Sequence, residues 1–155
     1  MSDTSASSGD RIVVGVDGSG PSIAALRRAA KIAELIDGTV EAVTTWEYPV
    51  MADAFAVSTG WSPEKDADEI LQRALNEAFP DGVPVTVHAV TEMGQAARVL
   101  IERSEGAHLL VLGSRGHGGF AGLLLGSVSA TCAAHAKCAV LILHGDEPED
   151  ARPEV

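Results

Sequence analysis

The residues best suited to chemistry lie in a glycine-rich segment between positions 113 and 127. It reads GSRGHGGFAGLLLGS and holds six glycines in fifteen residues, more than the one or two that a turn requires. The segment follows an apolar run and leads into a helical pattern that begins at Ser127. Glycines expose backbone N–H groups and helix N-termini attract anions, so this arrangement predicts a phosphate-binding loop, to which Arg115 and His117 add polar side chains. A surface linker is the alternative interpretation.

A second polar group, Asp17-Gly18-Ser19, directly follows the first apolar run of the chain. Known phosphate motifs do not match either segment: the chain has no Gly-Lys-Ser or Gly-Lys-Thr, which excludes a Walker A loop. The glycines of VGVDGSGPS also have the wrong spacing for a G-x-G-x-x-G fingerprint, so ordinary NAD or FAD binding is weakly supported. Asp17 either contacts a ligand or closes the turn between strand and helix.

The elements that must position these residues alternate between short apolar runs and helical patterns. This order predicts an α/β fold, an open parallel sheet of five strands with four helices on its two faces. The predicted strands are 11–16, 39–46, 83–90, 107–112 and 138–143, with helices after Pro21, Pro63 and Gly94 and from Ser127 to Ala136. Ligands of such sheets bind beyond the carboxyl ends of the strands, where Asp17, Thr45 and Gly113 lie.

The rest of the chain is predicted to be less regular. Residues 47–61 contain three aromatic residues but no clear period, which predicts a long loop. The polar start, residues 1–10, and the acidic end, residues 145–155, are expected to be disordered tails around a single domain at 11–144.

Composition narrows the possible partners. The 155 residues carry 22 acidic and 11 basic side chains, a net charge of −11, which disfavours broad binding to nucleic acids or to anionic membranes. No apolar run approaches the about 20 residues of a spanning helix, and the N-terminus does not resemble a secretion signal, so we expect a cytoplasmic protein. Cys132 and Cys138 are expected to be small buried residues, and the five histidines lack metal-ligand spacing. No catalytic residue and no metal ligand is predicted.

The spaced motif Gly113-x-x-Gly116, nine residues, Gly126-Ser127 resembles the nucleotide-binding signature of the universal stress protein family. RIVVGVDGS at the first strand and the apolar last strand extend this resemblance over nearly the whole chain, from Arg11 to Leu143. The resemblance implies a Rossmann-like fold of the adenine nucleotide alpha hydrolase type, with ATP bound at the strand ends.

The same resemblance assigns roles to individual positions. It implies that Gly15, Val16 and Asp17 flank the adenosine, that Thr45 meets adenine through its backbone, and that Leu112 and Gly113 border the ribose. It implies that phosphates are held by Gly116, Gly126, Ser127 and Val128, with Ser129 as an extra hydroxyl.

The sequence is compatible with several functions. They are a regulatory protein that binds ATP or AMP, a member that prefers cyclic AMP, a slow ATPase or phosphotransferase, and an interaction module without a ligand. The intact glycine motif argues against the last, and no general base or arginine finger identifies an enzyme. Mg²⁺, if it binds, would be held largely by phosphates and water. The family resemblance also implies a homodimer through the last strand, Ala139 to Leu143, whose apolar edge would otherwise be unprotected.

Overall fold

The computed structural model describes residues 10–50, 58–114 and 125–144. Within these ranges strands and helices alternate along the chain, as the sequence predicts. The elements are β1 (Arg11–Gly15), α1 (Gly20–Ile36), β2 (Thr39–Trp46), α2 (Pro63–Ala78), β3 (Val87–Met93), α3 (Ala96–Ser104), β4 (Leu109–Gly113), α4 (Ser127–His135) and β5 (Ala139–Leu143).

The five strands form one parallel sheet in the order β3-β2-β1-β4-β5. Strands β2 and β3 therefore lie on one side of β1, and β4 and β5 lie on the other side. Strand order reverses between β1 and β4, and this is where the connections leave in opposite directions and open a crevice. The predicted fold class is confirmed.

Two hydrophobic cores hold the helices against the two faces of the sheet. On one face, Ile12 and Val14 of β1 pack with α1 and α2, while on the other Val13 packs with α3 and α4. These three strand residues are completely buried. A strand covered on both faces has no solvent-facing side, which explains why the three central residues of β1, Ile12, Val13 and Val14, are all apolar.

The start and end of α1 follow from local chemistry. The Oγ atom of Ser19 accepts a hydrogen bond from the N–H of Ser22, which caps the helix, and Pro21 occupies its first turn. Asp37 ends the helix with a left-handed backbone, φ 55°. Gly38 follows because a Cβ atom at this position would collide with the backbone oxygen of Asp10. Helix α1 is thus fixed directly behind the turn that contains Asp17.

The predicted third strand is wrong in position. The sequence pattern places it at 83–90, but β3 is Val87–Met93. The N–H of Val87 bonds to the oxygen of Pro84 at 3.0 Å, so a turn occupies the residues before the strand, and Val85 is 93% exposed. Alternating valines around a proline imitate a strand, whereas the true strand carries polar residues because it lies at a sheet edge.

The remaining predictions about irregular segments fall partly outside the described residues. Of the loop predicted at 47–61, residues 51–57 lie outside, and Ser58 and Thr59 are helical rather than loop. The tails predicted at 1–10 and 145–155 lie outside, apart from Asp10. None of the helices in the described ranges combines the length and the apolar character that crossing a membrane requires.

The two cysteine thiols should react slowly in the folded protein. Cys132 of α4 is fully buried in the core, and burial raises its pKa to about 11. Burial also raises the pKa of the half-buried Cys138, against a smaller opposing effect of Arg11. Only thiolate attacks a disulfide reagent, so at about pH 8 we expect modification in native protein to be far slower than in urea. Equal rates in both conditions, followed by absorbance of the released thiol, would contradict the buried placement.

Candidate functional site

A cavity of about 320 Å³ lies at the carboxyl ends of the strands, in the crevice between β1 and β4. It collects the ends of three strands and the beginnings of three helices. The residues lining it are Gly15, Val16, Asp17, Ser19, Ser22, Val43, Thr44, Thr45, Ile70, Ala96, Leu100, Leu112, Gly113, Gly126, Ser127, Val128 and Ser129. Ten of the eleven residues predicted as a site are among them, and the eleventh, Gly116, lies outside the described residues together with Arg115 and His117.

Asp17 forms the turn between β1 and α1. Its Oδ1 atom accepts hydrogen bonds from the N–H of Ser19 at 2.9 Å and from the Oγ of Ser19 at 2.5 Å. Gly18 between them has φ 83°, a backbone conformation that favours glycine. Asp17 therefore does close the turn, as the alternative interpretation holds. It also lines the cavity as an exposed carboxylate, and the same geometry allows a contact with a ligand.

The wall formed by the sheet and by α3 is apolar. Gly15 sits beneath two leucines, because a Cβ atom there would lie 2.8 Å from Cδ2 of Leu112 and 3.0 Å from Cδ1 of Leu100. Val43, buried on the same face of the sheet, extends this surface. A flat aromatic ligand would bury area against it without loss of polar contacts.

The opposite wall is the junction of β4 and α4, which is built close to α1. A Cβ atom on Gly113 would lie 2.6 Å from Cβ and 2.9 Å from the carbonyl carbon of Pro21. Only glycine lets the end of β4 approach the first turn of α1 this closely. The two elements that border the crevice are thereby held in contact.

Helix α4 begins at the cavity with its N-terminal amides. Its N-cap residue is Gly126, and no side chain of the described residues caps it. The first N–H groups of a helix have no partner within the helix, and they carry the positive end of its dipole. Ser127 and Val128, which line the cavity, belong to this first turn. An anion at this place would be bound by the backbone.

Two buried hydroxyl groups hold backbone carbonyls at the strand ends. Oγ1 of Thr44 donates to the oxygen of Val16 at 2.9 Å, and Oγ of Ser129 donates to the oxygen of Gly113 at 2.6 Å. Both side chains are nearly inaccessible, at 4% and 5% exposure. Each bond satisfies a carbonyl oxygen where the sheet ladder stops.

The described lining residues of the cavity carry one charged side chain beside the backbone groups at the start of α4. Among the lining residues that the structure describes, Asp17 is the only ionisable one. No group of three potential metal-ligating side chains occurs within residues 10–50, 58–114 and 125–144. A divalent cation would therefore depend on oxygens that a ligand or water supplies.

Seven lining residues are absent from the site that the sequence predicts. They are Ser19, Ser22, Val43, Thr44, Ile70, Ala96 and Leu100. Ser19 belongs to the polar group after the first predicted strand, and Ser22 follows it three residues later. Val43 and Thr44 directly precede Thr45, so sequence position alone could have indicated these four residues. Ile70, Ala96 and Leu100 lie on helices distant in sequence, and no local motif indicates them.

Together, the parallel sheet and the cavity at the point of strand reversal define an open α/β protein with a Rossmann-like fold. The particular family follows from comparison with known proteins. A family model described as the universal stress protein family matches residues 9–144, and the chain belongs to this family.

Individual relatives agree with this membership. A universal stress protein of Mycolicibacterium smegmatis is 32% identical over 144 residues, which cover 88% of this chain and 48% of that protein. The chain spans less than half the length of the first curated relatives it matches, between 44% and 48%.

Solved structures show the same fold. A universal stress protein crystallised in complex with cAMP has a TM-score of 0.66 and 30% identity, over 87% of this chain and 97% of that one. A member of the family from Arabidopsis thaliana with AMP bound has a TM-score of 0.57 and 22% identity, over 90% of this chain and 97% of that one.

Proposed function

We propose that this protein binds an adenine nucleotide in the cavity between β1 and β4 and acts as a nucleotide-dependent regulatory protein of the stress response. The observation that carries the proposal is the convergence of ten predicted site residues on one cavity that has an apolar wall and a helix N-terminus. The relative bound to cAMP, at 30% identity, supports an adenine nucleotide as the ligand class.

The cavity offers a different surface to each part of the ligand. The base packs against the apolar wall near Leu100 and the end of β2, and the proposal assigns its polar edge to the backbone of Thr45, which lines the cavity. The ribose lies beside the Asp17 carboxylate and Gly113, and the phosphate meets the first turn of α4. In this orientation the phosphate lies at the N-terminus of α4, where the positive end of the helix dipole attracts negative charge.

ATP is the first candidate, and Mg²⁺ would accompany it. A triphosphate brings several negative charges to a chain whose net charge is −11 and whose described cavity residues include one carboxylate and no cation. A cation that bridges phosphate oxygens would lower this repulsion, so ATP affinity should increase with Mg²⁺.

Cyclic AMP is the second candidate, favoured by the cAMP-bound relative. Its cyclic phosphate carries less charge than a triphosphate, so it needs fewer compensating groups. The cyclic phosphate would contact the first turn of α4, and the outer part of the cavity mouth would remain open to solvent.

Calorimetric titration of nucleotide-free protein tests the proposal. ATP with and without Mg²⁺, AMP and cAMP are titrated separately, with GTP as the control for the base, and the purified protein is first assayed for bound nucleotide. Amide chemical shifts locate the site: we expect changes at Gly15, Ser127 and Val128, and none at His88 on the far edge strand. Absence of heat with every adenine nucleotide would overturn the proposal. Competition between cAMP and labelled ATP ranks the two candidates.

We further propose that two copies of the chain pair through β5. This strand lies at the end of the described sheet, and the side chains of Val140, Leu141, Ile142 and Leu143 are only partly buried. The carbonyl of Leu143 accepts a bond from Ser114 in the β4 direction, so the N–H and C=O of its neighbour Ile142 point to the open edge. An apolar edge whose outward backbone groups no described residue pairs favours pairing with a second strand.

Proline at position 142 should break this pairing. Ile142→Pro removes an edge N–H but no bond to β4, so we expect a folded monomer where the wild type is a dimer. Sedimentation velocity at micromolar protein measures the mass, and Ile142→Val, which keeps the N–H, serves as the control. A wild-type protein that sediments as a monomer would refute the dimer.

A further inference from the structure

The peptide bond between Gly113 and Ser114 aims a carbonyl oxygen at the crevice. The N–H of Ser114 donates to the oxygen of Leu143 on β5 at 2.8 Å. This peptide is trans, so the C=O of Gly113 points in the opposite direction, towards β1. Paired residues of β1 and β4 end at Val14 and Val111, and the ladder therefore offers this oxygen no amide.

Ser129 supplies the missing donor. Its Oγ atom, 2.6 Å from the oxygen of Gly113, is buried, and Ser129 is the third residue of α4. A second bond runs from the N–H of Gly126 to the oxygen of Ser114, also at 2.6 Å. Two consecutive carbonyls at the end of β4 thus hold the first turn of α4 from both sides. We call these four residues, Gly113, Ser114, Gly126 and Ser129, the β4–α4 clasp.

The clasp affects the anion site in two ways. It fixes the amides of Ser127 and Val128 relative to the end of β4, so they need not be ordered when a ligand arrives. It also engages the Gly113 oxygen, whose partial negative charge would otherwise be unpaired by the described residues close to the anion site. The hydroxyl of Ser129 has a single proton, and this proton is already committed.

We propose that Ser129 is a positioning residue for the phosphate: it shapes the anion site through Gly113 and does not itself donate to the ligand. This differs from the role of extra phosphate-binding hydroxyl that the sequence suggested. The inference rests on the proposed nucleotide site for its effect on binding, but the clasp itself is a property of the free protein.

Binding measurements test the effect on phosphate. Ser129→Ala removes the donor that the described residues supply to the Gly113 oxygen, so we expect AMP to bind about tenfold more weakly. Adenosine, which lacks the phosphate, should lose less than about twofold. Ser129→Thr, which keeps the hydroxyl, should restore AMP affinity. Thr131→Ala is the matched control: Oγ1 of Thr131 also donates to a backbone oxygen, that of Ser127 at 2.8 Å, but it is exposed and away from the cavity, so affinity should not change.

Hydrogen exchange in the ligand-free protein separates positioning from direct contact. If the clasp orders the turn, Ser129→Ala accelerates exchange of the amides at Gly126 and Ala130, while Thr131→Ala does so less. Unchanged exchange combined with weaker AMP binding would make Ser129 a direct phosphate ligand and overturn the inference, as would equal losses for AMP and adenosine.

Two further outcomes are also decisive. If the wild type binds no nucleotide, the proposed function fails, and the exchange rates still decide whether Ser129 fixes the turn. If Ser129→Ala does not fold, Ser129→Cys takes its place, because a thiol of similar shape is a much weaker donor.

Discussion

Gly113→Ala is expected to destabilise the protein by about 3 kcal/mol, the upper part of the range for overpacking. The added Cβ would lie 2.6 Å from Cβ of Pro21 and 2.9 Å from its carbonyl carbon. Neither atom is the end of a flexible side chain, so the first turn of α1 must move away from β4. Urea denaturation followed by circular dichroism measures the free energy of unfolding.

A second glycine separates this collision from simple backbone strain. Gly60 has φ 70°, and a Cβ atom added to it would meet none of the described residues within 4 Å, so Gly60→Ala should cost only about 1 kcal/mol. If Gly113→Ala costs no more than Gly60→Ala, the close approach of β4 and α1 is wrong. The Gly113 variant that remains folded should also bind AMP more weakly, because its crevice is wider, while the Gly60 variant should bind normally.

Much of the fold could be predicted because β1, β2 and β4 are buried on both faces and consist largely of apolar and β-branched residues. The position of β3 could not, since an edge strand needs no such run. Val83 and Val85 resemble a strand, yet they belong to the connection from α2, and Val85 is almost fully exposed. The alternation of these two valines with other residues resembles a strand, but neither valine belongs to the strand that pairs with β2.

The candidate site was predictable to the extent that topology determines it. Parallel strands bring their carboxyl ends to one edge, so residues after β1, β2 and β4 meet there whatever the detailed packing. Contributions of helices could not be predicted in this way. Ile70 and Ala96 reach the cavity because of how α2 and α3 lie on the sheet, and that depends on contacts between residues far apart in sequence.

The hydrogen bonds of the hydroxyl groups in the site could not be predicted from the sequence. Thr44 and Thr45 are adjacent, but their side chains point to opposite faces of β2, and the hydroxyl of Thr44 fixes the Val16 carbonyl. Ser127 and Ser129 are two residues apart on one helix, but Ser129 is buried and bonded to Gly113 while Ser127 is exposed. Sequence identifies the donors, whereas only the fold identifies their acceptors.

Ala96→Phe should abolish nucleotide binding while leaving the protein folded. Ala96 is the first residue of α3, lines the cavity and is only partly buried, so a phenyl ring can extend into the cavity without displacing the core. The cavity holds about 320 Å³, and a ring placed there occupies space that the base needs. We expect AMP affinity to fall by at least about a hundredfold, which corresponds to about 2.7 kcal/mol.

The matched control places the same ring elsewhere. Asn76 is exposed on α2 and does not line the cavity, so Asn76→Phe should bind AMP as the wild type does. Thermal unfolding of both variants shows whether either ring disturbs packing. Since the loss predicted for Ala96→Phe comes from filled space alone, wild-type affinity in a folded Ala96→Phe protein would mean that the nucleotide binds outside this cavity. Equal losses in both variants would indicate a general effect of surface aromatic residues and remove the support for this site.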